Sequence, residues 1–284
     1  PAPGATTRTA GPGVNTALDL LALGSTWLVM FGLALNAPAA LPRSGGWIVA
    51  ALLGYLLPGL GLLALAGFGL ASPHLLGLAL CIAAGFGTSG AALHRLAGGD
   101  AQQAARLVIG SSLLALPLML LLVAVATEPT KQMALLGKVV LLGLLGQLLP
   151  YTLGRGLLHW RPQLGRRLAA PLERLAGAAV IALITLIAQQ TLPRLVAHPE
   201  LLVAASLLVG LLLMASLGRQ RVQDGNPQLL LLVRNLGGAI LLARVLPESG
   251  EVLLAITAFG VPMYIAALLG LLCYRQGLHP PIEN

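Results

Sequence analysis

Apolar residues along this chain come in long runs rather than in alternation. Nine runs can be marked, near residues 18–35, 47–71, 75–97, 103–126, 133–158, 172–192, 200–217, 228–246 and 251–274. Several reach the roughly 20 residues that a helix needs to cross a hydrocarbon layer of about 30 Å. The period-two alternation of a lipid-facing barrel strand is absent from the pattern. The reading is an all-α polytopic membrane protein with nine transmembrane helices. Residues 1–16 are rich in Pro, Gly and Thr, lack the charged and apolar regions of a signal peptide, and read as a flexible tail. Residues 276–284 read as a second tail, leaving 17–275 as the transmembrane domain.

Two of the runs carry interruptions. Span three contains Gly85-Phe-Gly87-Thr88-Ser89-Gly90, and span eight contains Arg234-Asn235-Leu236-Gly237-Gly238. Glycine clusters weaken a helix, and polar side chains beside them can satisfy the backbone groups that unwinding frees. Sliding one segment on the other by 148 residues places Gly90 on Gly238, Ala91 on Ala239, Leu93 on Leu241 and Asp100 on Glu248. The plainer alternative is that these glycines let helices pack closely. Pro58, Pro117, Pro150 and Pro262 also lie inside spans, where each removes a helix hydrogen bond and predicts a kink.

Composition agrees with a lipid-embedded chain. Of 284 residues, 57% are hydrophobic and 9% charged, with a mean hydropathy of +0.89; soluble domains average about a quarter charged. The net charge of +8 is carried by connections between apolar runs and forms no continuous stripe, so nucleic acid is not an expected partner. It sets topology instead. The strongest basic connection, between spans five and six, holds Arg155, Arg161, Arg166, Arg167 and Arg174 against Glu173. Placing it inside also puts Arg43, Arg95, Arg106, Arg219, Arg221 and Arg275 inside, and leaves Arg8, Lys131, Lys138, Arg194 and Arg244 on or toward the outside. The expected topology in the inner (plasma) membrane is therefore N-terminus out and C-terminus in, with Trp47 and Trp160 at the inner interface. Spans three and eight then run in opposite directions. Inverted repeats, about 18–126 and 133–274, with paired interrupted helices point to a midplane binding site of a secondary transporter.

Cys81 and Cys273 sit in apolar runs and supply no disulfide or metal framework. His94 is expected to face the inner interface. His74, His159, His198 and His279 fall in connections or the tail, too scattered for a metal site.

The runs Phe31-Gly-Leu-Ala-Leu35 and Gly77-Leu-Ala-Leu-Cys-Ile-Ala-Ala-Gly85, the block Gly87-Thr-Ser-Gly-Ala-Ala with Leu96-Ala-Gly-Gly-Asp100, and Ser111-Ser112 before Pro117 resemble the first half of the bile acid:sodium symporter family. Leu149-Pro150, Gly154-Arg155 and Asn235 to Ala243 continue the resemblance, which covers roughly residues 20 to 275. It implies a panel domain and a core domain, two discontinuous helices crossing in the core, alternating access by elevator-like or rocking motion, and organic anion substrates. The chain resembles members with nine helices, lacking the first of ten.

Departures from the family pattern are as informative. The family's sodium sites use a Ser-Asn pair in the first broken helix, hydroxyls on the next helix, and a Glu with a Gln four residues later in the second. The matching positions here are Ser89-Gly90, Ser111 or Ser112, Leu230 and Arg234. All nine acids, Asp19, Asp100, Glu128, Glu173, Glu200, Asp224, Glu248, Glu251 and Glu283, lie in connections or near span ends, so no midplane carboxylate is expected to hold sodium. The sodium site is degenerate, and conventional sodium coupling is not expected. No other cofactor and no metal is expected.

Arg234 lies about six residues, or roughly 9 Å, inside span eight. An arginine in lipid costs several kcal/mol unless paired or hydrated. Arg234 is therefore read as a fixed cation standing in for the ion, holding the crossing and attracting an anion through its planar fork. The alternative is that it snorkels to the interface, as Arg244 is expected to do at the other end. Thr88, Ser89, Ser111, Ser112, Arg234 and Asn235 are the substrate-binding candidates around the break glycines Gly85, Gly87, Gly90, Gly237 and Gly238. An intramembrane enzyme would need a nucleophile with a base or clustered ligands, and a channel would show rings of like charge or a repeated filter. Neither pattern is present. A sodium-coupled symporter with altered ligands, or a sensor or scaffold on the same fold, are the remaining alternatives.

Overall fold

The structure is a computed structural model that describes residues 12–36, 46–97, 101–126, 133–134, 136–138, 140–141, 144–217, 231–244, 246 and 248–275. The described residues are almost entirely helical, without a strand. In chain order the helices are α1 (Pro12–Asn36), α2 (Gly46–Gly67), α3 (Ser72–Ala83), α4 (Thr88–Leu96), α5 (Ala101–Ala126), α6 (Leu149–Trp160), α7 (Pro162–Val196), α8 (Pro199–Leu217), α9 (Leu236–Ala243) and α10 (Ser249–Arg275). A π-helical turn, Leu144–Leu148, leads into α6. Leu- and Ala-rich composition favours the helix throughout. Prolines open α3 and α7 at their first positions, where a missing N–H costs nothing.

Two sequence expectations change. Residues 12–16, read as tail, are the first turns of α1; residues 1–11 and 276–284 lie outside the described residues. The basic segment after span five is not a loop, since Arg161 alone separates α6 from α7 and Arg166, Arg167 and Arg174 are helical. Gly165, Ala169 and Ala176 form the buried stripe that holds this stretch against its neighbours. Pro150 lies just inside the junction where a π-helical turn passes without a break into α6, so the irregularity expected of this proline is a local widening of the helix. Pro58, Pro117 and Pro262 do lie inside α2, α5 and α10.

α1, α6 and α7 pack on one another, and α2, α3, α8 and α10 form a ring of neighbours with α5 against α3 and α4. The two sets meet where α9 packs between α1 and α10 and where α7 packs against α10. The main core runs along α3, α8, α9 and α10, with Leu78, Leu80, Leu208, Leu212, Leu254 and Phe259 wholly buried. Small residues let helix axes approach. A Cβ on Gly77 of α3 would lie 2.5 Å from the Val252 carbonyl oxygen of α10, and one on Gly154 of α6 would lie 2.7 Å from Ala34 Cβ of α1.

Chain register repeats within the fold. α4 starts at 88 and α9 at 236, α5 starts at 101 and α10 at 249; each pair is offset by 148 (236 minus 88, 249 minus 101). The outer surface is strongly apolar, with Leu63, Phe68, Leu121, Val125, Ile181 and Val203 all more than half exposed. Among the described residues, two helical segments, Leu107–Val125 and Ser249–Leu272, are long and apolar enough to cross a membrane. Leu23–Asn36, Leu52–Gly67, Ser72–Ala83 and Pro199–Ala215 are shorter apolar helices.

Gly77→Ala and Gly154→Ala should each lower stability by about 1–3 kcal/mol, because a methyl there overpacks backbone against backbone. Gly210→Ala, where nothing lies within 4 Å, should change it by less than about 0.5 kcal/mol. Thermal melts of the detergent-solubilised full chain check both; equal losses at all three positions would contradict the packing described.

Candidate functional site at the helix crossing

Both interrupted segments unwind at the same place in space. α3 ends at Ala83 and α4 begins at Thr88; the paired segment is helical at 231–232 and resumes as α9 at Leu236. Between them Phe86 and Arg234 form an antiparallel bridge. Gly87 N–H donates to the Val233 carbonyl at 2.7 Å, and Asn235 N–H donates to the Gly85 carbonyl at 2.8 Å. The bridge residues are themselves related by 148 (234 minus 86).

This pairing leaves the N–H groups of Phe86 and Arg234 pointing away from each other, and buried amides need acceptors. Each finds one on the long helix that follows its own break. Phe86 N–H donates to Ser111 Oγ of α5 at 2.8 Å, and Arg234 N–H donates to Met263 Sδ of α10 at 3.2 Å. Glycine is required where the backbones touch. A Cβ on Gly87 would lie 2.7 Å from the Arg234 carbonyl oxygen, and one on Gly85 would lie 2.9 Å from Ser112 N. Asn235 caps α9, its Oδ1 accepting from Gly238 N–H at 3.3 Å.

The Arg234 side chain is wholly buried. It does not snorkel. Its Nη2 donates to the Gly54 carbonyl of α2, and its Nη1 donates to the Ala84 carbonyl at 3.5 Å. The guanidinium carbon lies 4.9 Å from the ring centres of both Tyr55 and Phe86. Those rings, 6.3 Å apart, present their negative faces to the cation. No described carboxylate pairs with it, and Nε has no hydrogen-bond partner. Two carbonyl oxygens and two π faces thus stand where a buried charge would ordinarily need a counter-ion.

No protein-family model and no curated protein matches this chain. The site is therefore read from its own geometry.

Of the sequence candidates, Arg234, Asn235, Ser111 and Ser112 and the glycines Gly85, Gly87 and Gly238 meet at the crossing. Ser111 and Ser112 both donate to the Val108 carbonyl, at 2.9 and 2.8 Å. Ser89 lies one turn away, 3.3 Å from the Tyr264 hydroxyl of α10. Thr88 is the first residue of α4; its side chain is outside the description, and Leu230 is outside the described residues. Gly90 falls in the first turn of α4 and Gly237 in that of α9, where a Cβ would sit 3.6 Å from Thr26 Oγ1 of α1. Gly54, Tyr55 and Met263 were not foreseen. A single tyrosine next to a glycine, in a helix whose other side chains are apolar, was the available signal.

His94 is wholly buried rather than at an interface. His74 and His198, expected to be scattered, are brought together: their rings meet edge to face at 5.8 Å. His74 Nε2 is 3.0 Å from Glu251 Oε2, Arg194 pairs with the other oxygen of Glu251, and His198 Nδ1 is 2.9 Å from Glu200 Oε1. Among the described residues no group of three ligands is arranged to hold a metal.

Gly87→Ala should cost about 1–3 kcal/mol of stability, since its methyl would displace the Arg234 backbone and open the bridge. Gly59→Ala, with open space around it, serves as the matched control; indistinguishable melting of the two variants would contradict the crossing geometry.

Proposed function

We propose that the chain is a secondary transporter of a small organic anion, embedded in the inner membrane and working by alternating access without bound sodium. In this reading it has nine transmembrane helices and inverted repeats. The group α1, α6 and α7 is the panel domain, and the remaining helices are the core domain. The observation that carries the reading is the buried guanidinium of Arg234 at an antiparallel crossing of two interrupted helices. The register offset of 148 shared by the bridge residues and by the helices after them supports the repeat. The apolar outer surface supports the bilayer. Resemblance to bile acid:sodium symporters supports the substrate class.

Arg234 takes the role of the ion. A carbonyl pair is the kind of ligand that a small cation uses, and the guanidinium already occupies it. Covered by Tyr55 and Phe86, it acts on an anion at the crossing through its field, which a low-dielectric interior screens little. α4 and α9 begin directly after the breaks, so the positive ends of both helix dipoles add to that field. Asn235, capping α9, and Ser89, on the first turn of α4, supply the contacts that orient the substrate.

Uptake of a panel of organic anions into proteoliposomes, with a sodium gradient, a proton gradient or neither, tests this directly. Saturable uptake without sodium, lowered at least about tenfold in Arg234→Ala, is the expected result. Saturable uptake that requires sodium and survives Arg234→Ala would refute it. Binding without flux would favour a receptor on the same fold.

A further inference from the structure

A strongly basic surface on the α6–α7 hairpin plays no part in the crossing. With only Arg161 between the two helices, the hairpin has a tight tip carrying exposed Arg161 and exposed Trp160. Along α7, Gly165, Ala169 and Ala176 are buried, whereas Arg166, Arg167 and Arg174 are exposed. Arg167 and Arg174 are seven residues apart, so they lie on one face about two turns, or roughly 10 Å, from each other. Leu164 and Leu175, 47% and 54% exposed, flank them. Cationic forks thus stand beside an uncovered aliphatic strip, with a tryptophan at the tip.

We propose that this face is a docking site for anionic phospholipid. The headgroup phosphate is held by Arg166, Arg167 and Arg174, and an acyl chain lies along Leu164 and Leu175. The argument is charge complementarity combined with amphipathy. A soluble acidic protein would match the arginines but not the exposed leucines, and a zwitterionic lipid would match the leucines but bring no net charge. Arginine forks bind phosphate through two donors at once. Each arginine near an anionic leaflet contributes about 1 kcal/mol, or about fivefold in affinity. The inference rests on the membrane part of the proposed function and not on transport, so absence of flux would leave it standing.

Native mass spectrometry of the detergent-solubilised full chain, titrated with phosphatidylglycerol or phosphatidylcholine of the same acyl length, reads it out. The unaltered chain should retain phosphatidylglycerol at least about tenfold better than phosphatidylcholine. The triple variant Arg166→Gln, Arg167→Gln, Arg174→Gln should lose most of that preference while melting at the same temperature, because all three side chains are exposed. Lys138→Gln, which removes an exposed charge elsewhere, should keep it. Equal retention of the two lipids by the unaltered chain, a preference that survives the triple variant, or an equal loss in Lys138→Gln would overturn the proposal.

Discussion

A guanidinium without a carboxylate lies at the place where two helices stop being helical, and the surrounding elements are arranged so that this charge can stay there. Removing a cation from water costs several kcal/mol even after relaxation. Arg234 recovers that cost through the Gly54 and Ala84 carbonyls and the faces of Tyr55 and Phe86. The partners come from two pieces of chain far from Arg234 in sequence. α2 supplies Gly54 and Tyr55, and the first break supplies Ala84 and Phe86. One side chain therefore ties α2, the first break and the second break into one unit.

The backbone around it follows from the same need. Four peptide groups at a break lose their helical partners, and in a dry interior each must find another. The two breaks supply each other with one hydrogen bond in each direction, and α5 and α10 each take one further N–H group. Close approach of the second break excludes a side chain at Gly87, and close approach of the α5 backbone excludes one at Gly85, which accounts for the glycines in the first break. The second break has no glycine at the bridge, because its side chain there is the arginine on which the crossing relies.

Much of this was legible in the sequence. Glycine clusters announced both breaks, and the 148-residue offset paired them; the same offset separates the bridge residues Phe86 and Arg234 and the helices that follow. Arg234 stood out as a charge inside an apolar run. Its surroundings were not legible, since Gly54 and Tyr55 are 180 and 179 residues away (234 minus 54, 234 minus 55) and the one local signal, a tyrosine beside a glycine in α2, does not name its partner. The α7 stretch was misread as a loop because arginine density outweighed the small-residue stripe Gly165, Ala169 and Ala176. His74 and His198 were misread as isolated because the ends of α3, α7, α8 and α10 meet there only in the folded chain.

Thermal unfolding of the full chain in detergent, titrated with sodium chloride or with choline chloride at matched ionic strength, bears most directly on the claim that Arg234 replaces a bound cation. A ligand that binds only the folded state raises its stability by mass action. The account predicts coincident midpoints in the two salts at every concentration. A saturable, sodium-specific rise in the midpoint would show that an ion site persists at the crossing and would contradict it.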